Sequence, residues 1–210
     1  MINNKIYTIG HSTHSIEYFL ELLTTYSINC LVDVRSIAAS SYSPQYNKAA
    51  LSDFLKSNNI EYLHFSKEFG ARHNEPALLD TDGKVDFNKV RNTNDFKLGI
   101  QRIKKGVEKG FTIALMCSEA EPFDCHRFAL VSIGLIQEGF IVEHILKDKS
   151  IKRNIQLENQ LLKKYDKKLP KPSMFEPNIS LNDQLRVAYQ LRNKDIAYSP
   201  YLTNQVEESI

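Results

Sequence analysis

Residues 112–145 read TIALMCSEAEPFDCHRFALVSIGLIQEGFIVEHI, and this stretch decides the fold class. Apolar, partly β-branched runs predict one strand at residues 112–116 and another at residues 140–145. A helical pattern between them begins near Phe128 and ends at Gly139, a residue type that commonly terminates helices. A strand, a helix and a second strand of these lengths indicate two parallel strands joined by a crossover helix.

The preceding residues repeat this alternation of strands and helices. Three further strands are predicted, at residues 5–9, 30–34 and 60–65. Ser15 is predicted to cap the first helix, and Gly110 to end the helix before the fourth strand. The sequence therefore predicts an α/β fold with a single domain over residues 1–149. We expect a mostly parallel sheet of about five strands flanked by helices.

Two segments depart from this alternation. Residues 66–94 are mostly polar and are predicted to form one long loop of the kind that often acts as a lid. Residues 150–210 are predicted to form a basic, helical C-terminal extension with helices at 151–165 and 181–191. Residues 147–171 hold nine Lys or Arg against three Asp or Glu, although the formal net charge of the chain is only +2.

Side chains capable of chemistry follow the predicted strands at the points where the strands end. In the order of the five strands they are His11 and Ser12, Asp33 and Arg35, His64, Cys117 and Glu119, and His144. Ligands of open parallel sheets bind outside the carboxyl ends of the strands. The sequence therefore predicts a binding or active site at this edge of the sheet.

Four residues are the predicted catalytic groups. Cys117 follows a buried strand and precedes a helix, where a thiol pKa is commonly lowered, so it is a candidate nucleophile. The alternative is that Cys117 is simply a small buried apolar residue. Glu119 and His126 are candidate acid–base groups. Asp33 is a further acid–base candidate, or else it orients a neighbouring backbone loop.

Six residues are the predicted ligand-binding groups. Arg35 and Arg127 can hold a phosphate, sulfate or carboxylate, or they can form structural ion pairs, for instance Arg35 with Glu119. Arg72 belongs either to the predicted lid or to the solvated surface. The remaining members of the set are His11, Ser12 and Cys125.

The cysteines bear on both compartment and metal binding. Three cysteines are an odd number, which favours a reducing cytoplasm over a disulfide scaffold. We expect no secretory signal, no membrane association and no cofactor. A zinc site of Cys117, Cys125, His126 and His11 is an alternative. The seven residues between the two thiols exceed the usual short spacing of structural zinc sites, so no metal is predicted.

Three motifs resemble a known family. They are TIGHS at residues 8–12, LVDVR at 31–35, and ALMCSE at 114–119 continuing to Pro122 and the CHR of 125–127. In these motifs the chain resembles the domain-of-unknown-function 488 family, over about residues 5–144. Because the family is named for its unknown function, the resemblance implies where the site lies rather than which reaction it performs.

Three functions are compatible with these observations. The first is an enzyme acting on a phosphate-bearing small molecule, nucleotide or nucleic acid. The second is a non-catalytic nucleic-acid-binding protein that uses the basic segment. The third is sulfur transfer through Cys117, since the layout resembles that of rhodaneses. Their Arg follows the nucleophilic Cys by five positions, however, where this chain has Pro122, and Arg127 lies ten residues on.

Overall fold

The computed structural model describes residues 4–172, 174 and 178–201. Within these residues one sheet contains six strands: β1 (Lys5–Gly10), β2 (Cys30–Asp33), β3 (Glu61–His64), β4 (Ile113–Cys117), β5 (Ile141–Ile145) and β6 (Ile151–Arg153). Their order is β3-β2-β4-β1-β5-β6, and every neighbouring pair is parallel except β5 and β6. The predicted α/β class, the mostly parallel sheet and its five strands are confirmed.

Eight α-helices flank the sheet within the described residues: α1 (Ile16–Thr25), α2 (Lys48–Ser57), α3 (Ser66–Phe69), α4 (Phe87–Arg91), α5 (Asn94–Glu108), α6 (Ile133–Gln137), α7 (Asn154–Tyr165) and α8 (Leu181–Ile196). A π-helical segment, Arg127–Ser132, leads directly into α6. The predicted cap of α1 is confirmed, because the Ser15 side chain accepts from the N–H of Tyr18. Gly110 follows α5 with a positive φ of 88°, as its predicted role at the helix end requires.

The prediction of a long loop over residues 66–94 was wrong. This segment contains α3, a 3-10 turn at Pro76–Leu78, and α4. Phe69, Phe87 and Val90 anchor the two helices in the hydrophobic core. Helices of four and five residues are too short to show the helical periodicity of apolar residues, so the sequence did not predict them.

Two hydrophobic layers cover the two faces of the sheet. On one face, α1 and α2 bury residues such as Phe19 and Leu51 against the strands. On the other face, α5 and the Arg127–Ser132 segment pack in a cluster with Leu115 of β4. Because β4 is buried along its whole length, its polar neighbours emerge at the end of the strand, where the site lies.

The C-terminal residues pack on the second of these faces. Leu161 of α7 and Ala188 of α8 belong to the same core cluster as the sheet. The predicted helix at 151–165 was wrong at its start, because residues 151–153 form β6 beside β5. Buried Arg192 of α8 donates to the carbonyl of Phe123 at 3.1 Å, which ties this helix to the loop after β4. Among the described residues, no helix combines the length and apolar character that crossing a membrane requires.

Candidate functional site

The backbone after β1 pairs with the backbone after β4. Gly10 lies opposite Cys117 in the parallel ladder. Beyond the strands, the N–H groups of His11 and Ser12 donate to the carbonyls of Cys117 and Ser118, each at 2.9 Å. Ser12 has a positive φ of 49°, which turns the chain away after this last bond. The two segments predicted to share the sheet edge therefore lie in contact.

Four side chains after β4 form what we call the thiol cluster: Cys117, Glu119, Cys125 and His126. The Glu119 Oε2 lies 2.7 Å from the Cys117 Sγ and 3.0 Å from the Cys125 Sγ. The His126 Nδ1 lies 3.7 Å and 3.8 Å from the same two sulfurs. Both cysteines are buried and His126 is half-buried, whereas Glu119 is exposed as a residue and turns its carboxylate inward.

A close backbone contact and a buried arginine hold the loop that carries Glu119. The backbone at Gly10 approaches so closely that an added Cβ would lie 1.9 Å from the carbonyl oxygen of Glu119. The fully buried Arg127 donates to the carbonyls of Glu119 and Ala120 at 2.6 Å and 2.9 Å. The Arg127 Nε has no partner among the described residues. Arg127, which the sequence suggested as a ligand-binding group, thus fixes the position of Glu119.

The orientation of His126 is set from outside the thiol cluster. Its Nε2 donates to the carbonyl of Val34, just beyond β2, at 3.1 Å. This bond leaves Nδ1 as the ring nitrogen that faces the sulfurs. The backbone N–H of Arg127 also donates to the Cys125 Sγ, at 3.4 Å.

The electrostatics of the thiol cluster are strongly coupled. Burial raises the pKa of Cys117, and the hydrogen bond with Cys125 adds to this. Burial opposes ionisation of Cys125 too, but its pKa is lowered because Cys117 donates to it and because Arg127 and His126 stabilise the thiolate. For His126, burial lowers the pKa, but the neighbouring Cys125 outweighs it and the pKa is raised. Desolvation of its carboxylate raises the pKa of Glu119. Arg127 and His126 are thus the positively charged groups that favour a thiolate at Cys125.

A second group of polar side chains lies at the same edge, and we call it the arginine network: His11, Asp33, Arg35, Tyr46 and Tyr62. The Arg35 Nε and Nη2 donate to the Asp33 carboxylate at 2.9 Å and 2.6 Å. The Nη2 also donates to the carbonyl of Tyr46, and the hydroxyl of Tyr62 donates to Asp33, both at 2.7 Å. The ion pair is almost completely buried. Asp33 therefore has several donors and acts as the counter-ion of Arg35.

His11 belongs to the arginine network and not to the thiol cluster. Its Nδ1 donates to the carbonyl of Ser12 at 2.8 Å, and its Nε2 accepts from the Arg35 Nη1 at 3.3 Å. The ring also stacks on Tyr46, with centroids 4.1 Å apart. Burial lowers the pKa of His11 to about 4, with a further contribution from the charge of Arg35. His11 is therefore neutral at neutral pH.

A pocket of about 520 Å³ opens beside the thiol cluster. Arg72, an exposed residue, contributes one wall, where its guanidinium lies over the ring of Tyr198 with 5.5 Å to the centroid. No carboxylate or carbonyl within the described residues accepts a hydrogen bond from this guanidinium. The pocket wall also includes Arg35, Ser36, Cys117, Glu119, Cys125 and His126. A larger cavity of about 660 Å³ lies between α4 and α8 and contains no cysteine or histidine.

The two remaining histidines of the sheet edge have structural contacts. The His64 Nε2 bonds the carbonyl of Arg35 at 2.8 Å. The His144 Nδ1 lies 2.8 Å from the hydroxyl of Thr8, and burial lowers the pKa of His144 to about 3. Sequence reasoning missed Tyr46 and Tyr62. Tyr62 bonds the Asp33 carboxylate through its hydroxyl, whereas Tyr46 contributes its backbone carbonyl and a ring face, and nothing in the local sequence indicates either contact.

Fold and site together define an α/β protein with a thiol, carboxylate and imidazole cluster at the carboxyl edge of a parallel sheet. Residues 15–133 match the family described as "Domain of unknown function DUF488". This match spans more than half of the chain, and the chain belongs to that family. The resemblance identified from the three motifs is thereby confirmed. A search of the curated proteins finds no match.

Proposed function

We propose that this chain is an enzyme that acts on a phosphate-bearing molecule bound in the pocket beside the thiol cluster. One observation carries the proposal: a single pocket combines a thiol, a carboxylate and an imidazole with the Arg72 guanidinium, which has no hydrogen-bond acceptor in the described part of the chain. Small-molecule sites commonly measure about 300–1,000 Å³. The volume of about 520 Å³ thus suits a small molecule or a single nucleotide better than a duplex.

Arg72 and Arg35 are the proposed anion-binding groups. Arg72 is exposed at the pocket, and a guanidinium can bond two phosphate oxygens at once. Arg35 has five N–H groups, and within the described residues Asp33, Tyr46 and His11 accept from all but one. The remaining N–H, on Nη1, belongs to a side chain that lines the pocket. A phosphate between the two arginines would receive donors from both sides.

Glu119 and His126 are the proposed proton-transfer groups. Glu119 is the exposed member of the thiol cluster, so its carboxylate can turn toward a bound molecule without unfolding the loop. The Nδ1 of His126 faces the same pocket wall while Nε2 is fixed on Val34. A carboxylate and an imidazole held within reach of one ligand can act as general acid and base.

The two alternative functions have weaker structural support. In the basic segment, Lys149, Lys164 and Lys171 form ion pairs with Glu21, Asp195 and Asp166, as solvated surface lysines commonly do. Sulfur transfer would need an accessible Cys117, whereas this residue is only 3% exposed.

The proposal is tested by assaying the full chain against nucleotides, sugar phosphates and short oligonucleotides. Replacing Arg72 with Met is expected to raise KM by about tenfold or more, since one charge-assisted contact is lost. Replacing Glu119 with Gln is expected to lower kcat by about 100-fold or more, as loss of an acid–base group does. Arg186→Met is the matched control, because Arg186 is also exposed but lines the larger cavity.

Equal KM values for the Arg72→Met and Arg186→Met variants would contradict the anion-binding role. Full turnover by the Glu119→Gln variant would contradict the acid–base role. If none of these compounds is turned over or bound, the proposal as a whole fails.

A further inference from the structure

The thiol cluster also has the composition of a metal site. One atom from each side chain, namely two sulfurs, one carboxylate oxygen and one imidazole nitrogen, lies within 4.8 Å of the others. Thiolate, imidazole and carboxylate are the three ligand types that Zn²⁺ takes in proteins. The sulfur atoms exclude Mg²⁺ and Ca²⁺ as preferred occupants, since those ions choose oxygen.

The distances between the sulfurs and the imidazole fit zinc geometry. With Zn–S of about 2.3 Å and Zn–N of about 2.0–2.1 Å, tetrahedral angles place a sulfur and a nitrogen about 3.5 Å apart. The observed separations from the His126 Nδ1 are 3.7 Å and 3.8 Å. The Glu119 oxygen lies closer to the sulfurs, at 2.7 Å and 3.0 Å, and its exposed side chain has room to withdraw.

Groups outside the thiol cluster already orient two of these side chains. Metal-binding histidines usually donate their second ring N–H to a carbonyl or carboxylate. The His126 Nε2 does so to Val34, a residue of a different segment of the chain, and directs Nδ1 to the sulfurs. The Arg127 N–H donates to the Cys125 Sγ, which favours a thiolate over a thiol.

Metal binding would convert both thiols to thiolates, since a thiol gives up its proton when it coordinates a metal. Two thiolates and one carboxylate at this separation would repel one another unless a positive charge balanced them. Arg127 is the closest guanidinium in the loop, but both of its Nη atoms donate to backbone carbonyls. A divalent ion among the four ligand atoms would balance the charge directly.

We propose that the thiol cluster is a Zn²⁺ site, with Cys117, Cys125 and His126 as fixed ligands and Glu119 as the exchangeable ligand that faces the pocket. Glu119 replaces His11 in the four-ligand set considered from the sequence, because both ring nitrogens of His11 are already bonded in the arginine network. The sequence predicted no metal because seven residues separate the two cysteines. One lies at the end of a strand and the other before a helix, and the fold rather than a short loop brings them together.

A catalytic role for the zinc ion rests on the proposed function, whereas the zinc site itself does not. When Glu119 leaves the metal, a water can take the fourth position, and zinc lowers the pKa of such a water to about 7. The ion would supply an activated water, and Glu119, once released from the metal, would accept the proton of that water. The proposed reaction would then be hydrolysis: the oxygen of the water would bond to the phosphorus of the ligand held by Arg72, the P–O bond to the leaving group would break, and the proton on Glu119 would pass to the leaving oxygen.

The test measures metal binding on the full chain, without substrate. The protein is stripped with a chelator and titrated with Zn²⁺ against a chromophoric competitor, and separately with Co²⁺. One equivalent of each metal is expected to bind, and Co²⁺ is expected to show the absorption of tetrahedral thiolate coordination. Replacing Cys117 or Cys125 with Ala is expected to weaken zinc binding by about 100-fold or more, since loss of a ligand exceeds the 10–100-fold cost of losing a supporting partner.

Cys30→Ala is the matched control, because Cys30 is buried at the opposite end of β2 and is expected to leave the affinity unchanged. Zinc binding that is equal in all three alanine variants would overturn the inference. If the Cys117 and Cys125 variants do not fold, the Co²⁺ spectrum of the unmodified chain decides, and a spectrum without thiolate bands overturns it.

The zinc site and the proposed enzyme fail separately. Stoichiometric zinc in a protein that binds no phosphate compound supports the site and counts against the proposed function. A phosphate ligand bound with full affinity by a chain that takes up no zinc overturns the site and leaves the proposed function standing.

Discussion

The arginine network and the thiol cluster lie side by side at one edge of the sheet, yet their polar atoms have different partners. In the arginine network, Asp33 receives donors from Arg35 and Tyr62, and the remaining contacts are to backbone carbonyls and His11. In the thiol cluster, the sulfurs and the carboxylate mainly face one another, and one side opens to the pocket. Satisfied buried pairs hold a fold together, whereas acidic groups that face each other indicate a place for a ligand.

The largest expected difference between the two regions concerns stability. Replacing Asp33 with Ala leaves the Arg35 guanidinium buried without its counter-ion, and should lower the free energy of unfolding by about 3–5 kcal/mol. Urea denaturation at pH 7 measures this loss. Tyr62→Phe is the milder control, because it removes one hydroxyl and leaves the ion pair, for a loss of about 1 kcal/mol. If both variants lose the same amount, the pair is not what stabilises this region.

The contact between β1 and the Glu119 loop gives the next effect. A methyl group at residue 10 would meet the Glu119 carbonyl oxygen at 1.9 Å, a backbone atom that cannot move aside cheaply. Gly10→Ala should therefore cost about 3 kcal/mol of unfolding free energy, at the upper end of overpacking costs. The substitution should also weaken Zn²⁺ binding at the thiol cluster, because it displaces the backbone that carries Glu119.

Gly106→Ala serves as the control for this substitution. Its added methyl meets only the end of the Ile113 side chain, at 2.9 Å, and it lies inside α5, where Ala is favoured over Gly by about 1 kcal/mol. A Gly10→Ala protein as stable as the Gly106→Ala protein would show that the close approach is dispensable.

His11 of the arginine network and His126 of the thiol cluster are expected to differ in their response to pH. The folded pKa of His11 is lowered to about 4, below the ordinary value of 6.5, so the unfolded chain binds more protons as pH falls through this window. The stability that neutral His11 contributes to the folded state is fully present above pH 6.5 and is lost between pH 6.5 and pH 4. At pH 5 the loss is about 2 kcal/mol, at 1.36 kcal/mol per pKa unit over 1.5 units.

Urea denaturation at pH 7 and pH 5 measures this loss, and the His11→Gln variant should show a correspondingly smaller difference. Proton NMR of the chelator-treated chain should further show His126 titrating above His11, because the pKa of His126 is raised. Coincident titration of the two imidazoles would contradict the contrast between the regions.

The smallest stability effect is expected in the thiol cluster itself. Glu119→Gln in the chelator-treated chain should change the free energy of unfolding by less than about 1 kcal/mol, since the exposed side chain keeps its volume and loses only an unfavourable charge. Thermal denaturation of both proteins checks this. A loss comparable with that of Asp33→Ala would make Glu119 a structural residue.

The strands and the location of the site were predictable from the sequence, but the contacts of the site residues were not. Buried β-branched runs and parallel connections predicted the strands, and the strand ends located Cys117, Glu119 and Asp33 at one edge. The hydrogen-bond partners of the two buried arginines could not be predicted from the sequence pattern. Arg35 and Arg127 bond the carbonyls of Tyr46, Glu119 and Ala120, and the position of a carbonyl depends on the complete fold.

The position of Arg72 was not predictable from the sequence either. It was one of six ligand-binding candidates, but the sequence assigned it either to a lid or to the solvated surface, whereas Arg127 was a candidate to hold an anion. The fold buries Arg127 completely and leaves Arg72 at the pocket, over the ring of Tyr198. Tyr198 lies 126 positions further along the chain, in a segment predicted only as an extension. Such contacts between distant segments follow from tertiary packing rather than from local patterns.

The zinc site and the phosphate pocket can be tested together in a crystal structure of the full chain grown with Zn²⁺ and a nucleoside monophosphate. We expect an anomalous zinc peak bonded to the Cys117 and Cys125 sulfurs and the His126 Nδ1. We also expect the phosphate in the adjoining pocket, within hydrogen-bond distance of the Arg72 guanidinium. No metal at the thiol cluster, with the phosphate bound instead along residues 147–171, would contradict both expectations.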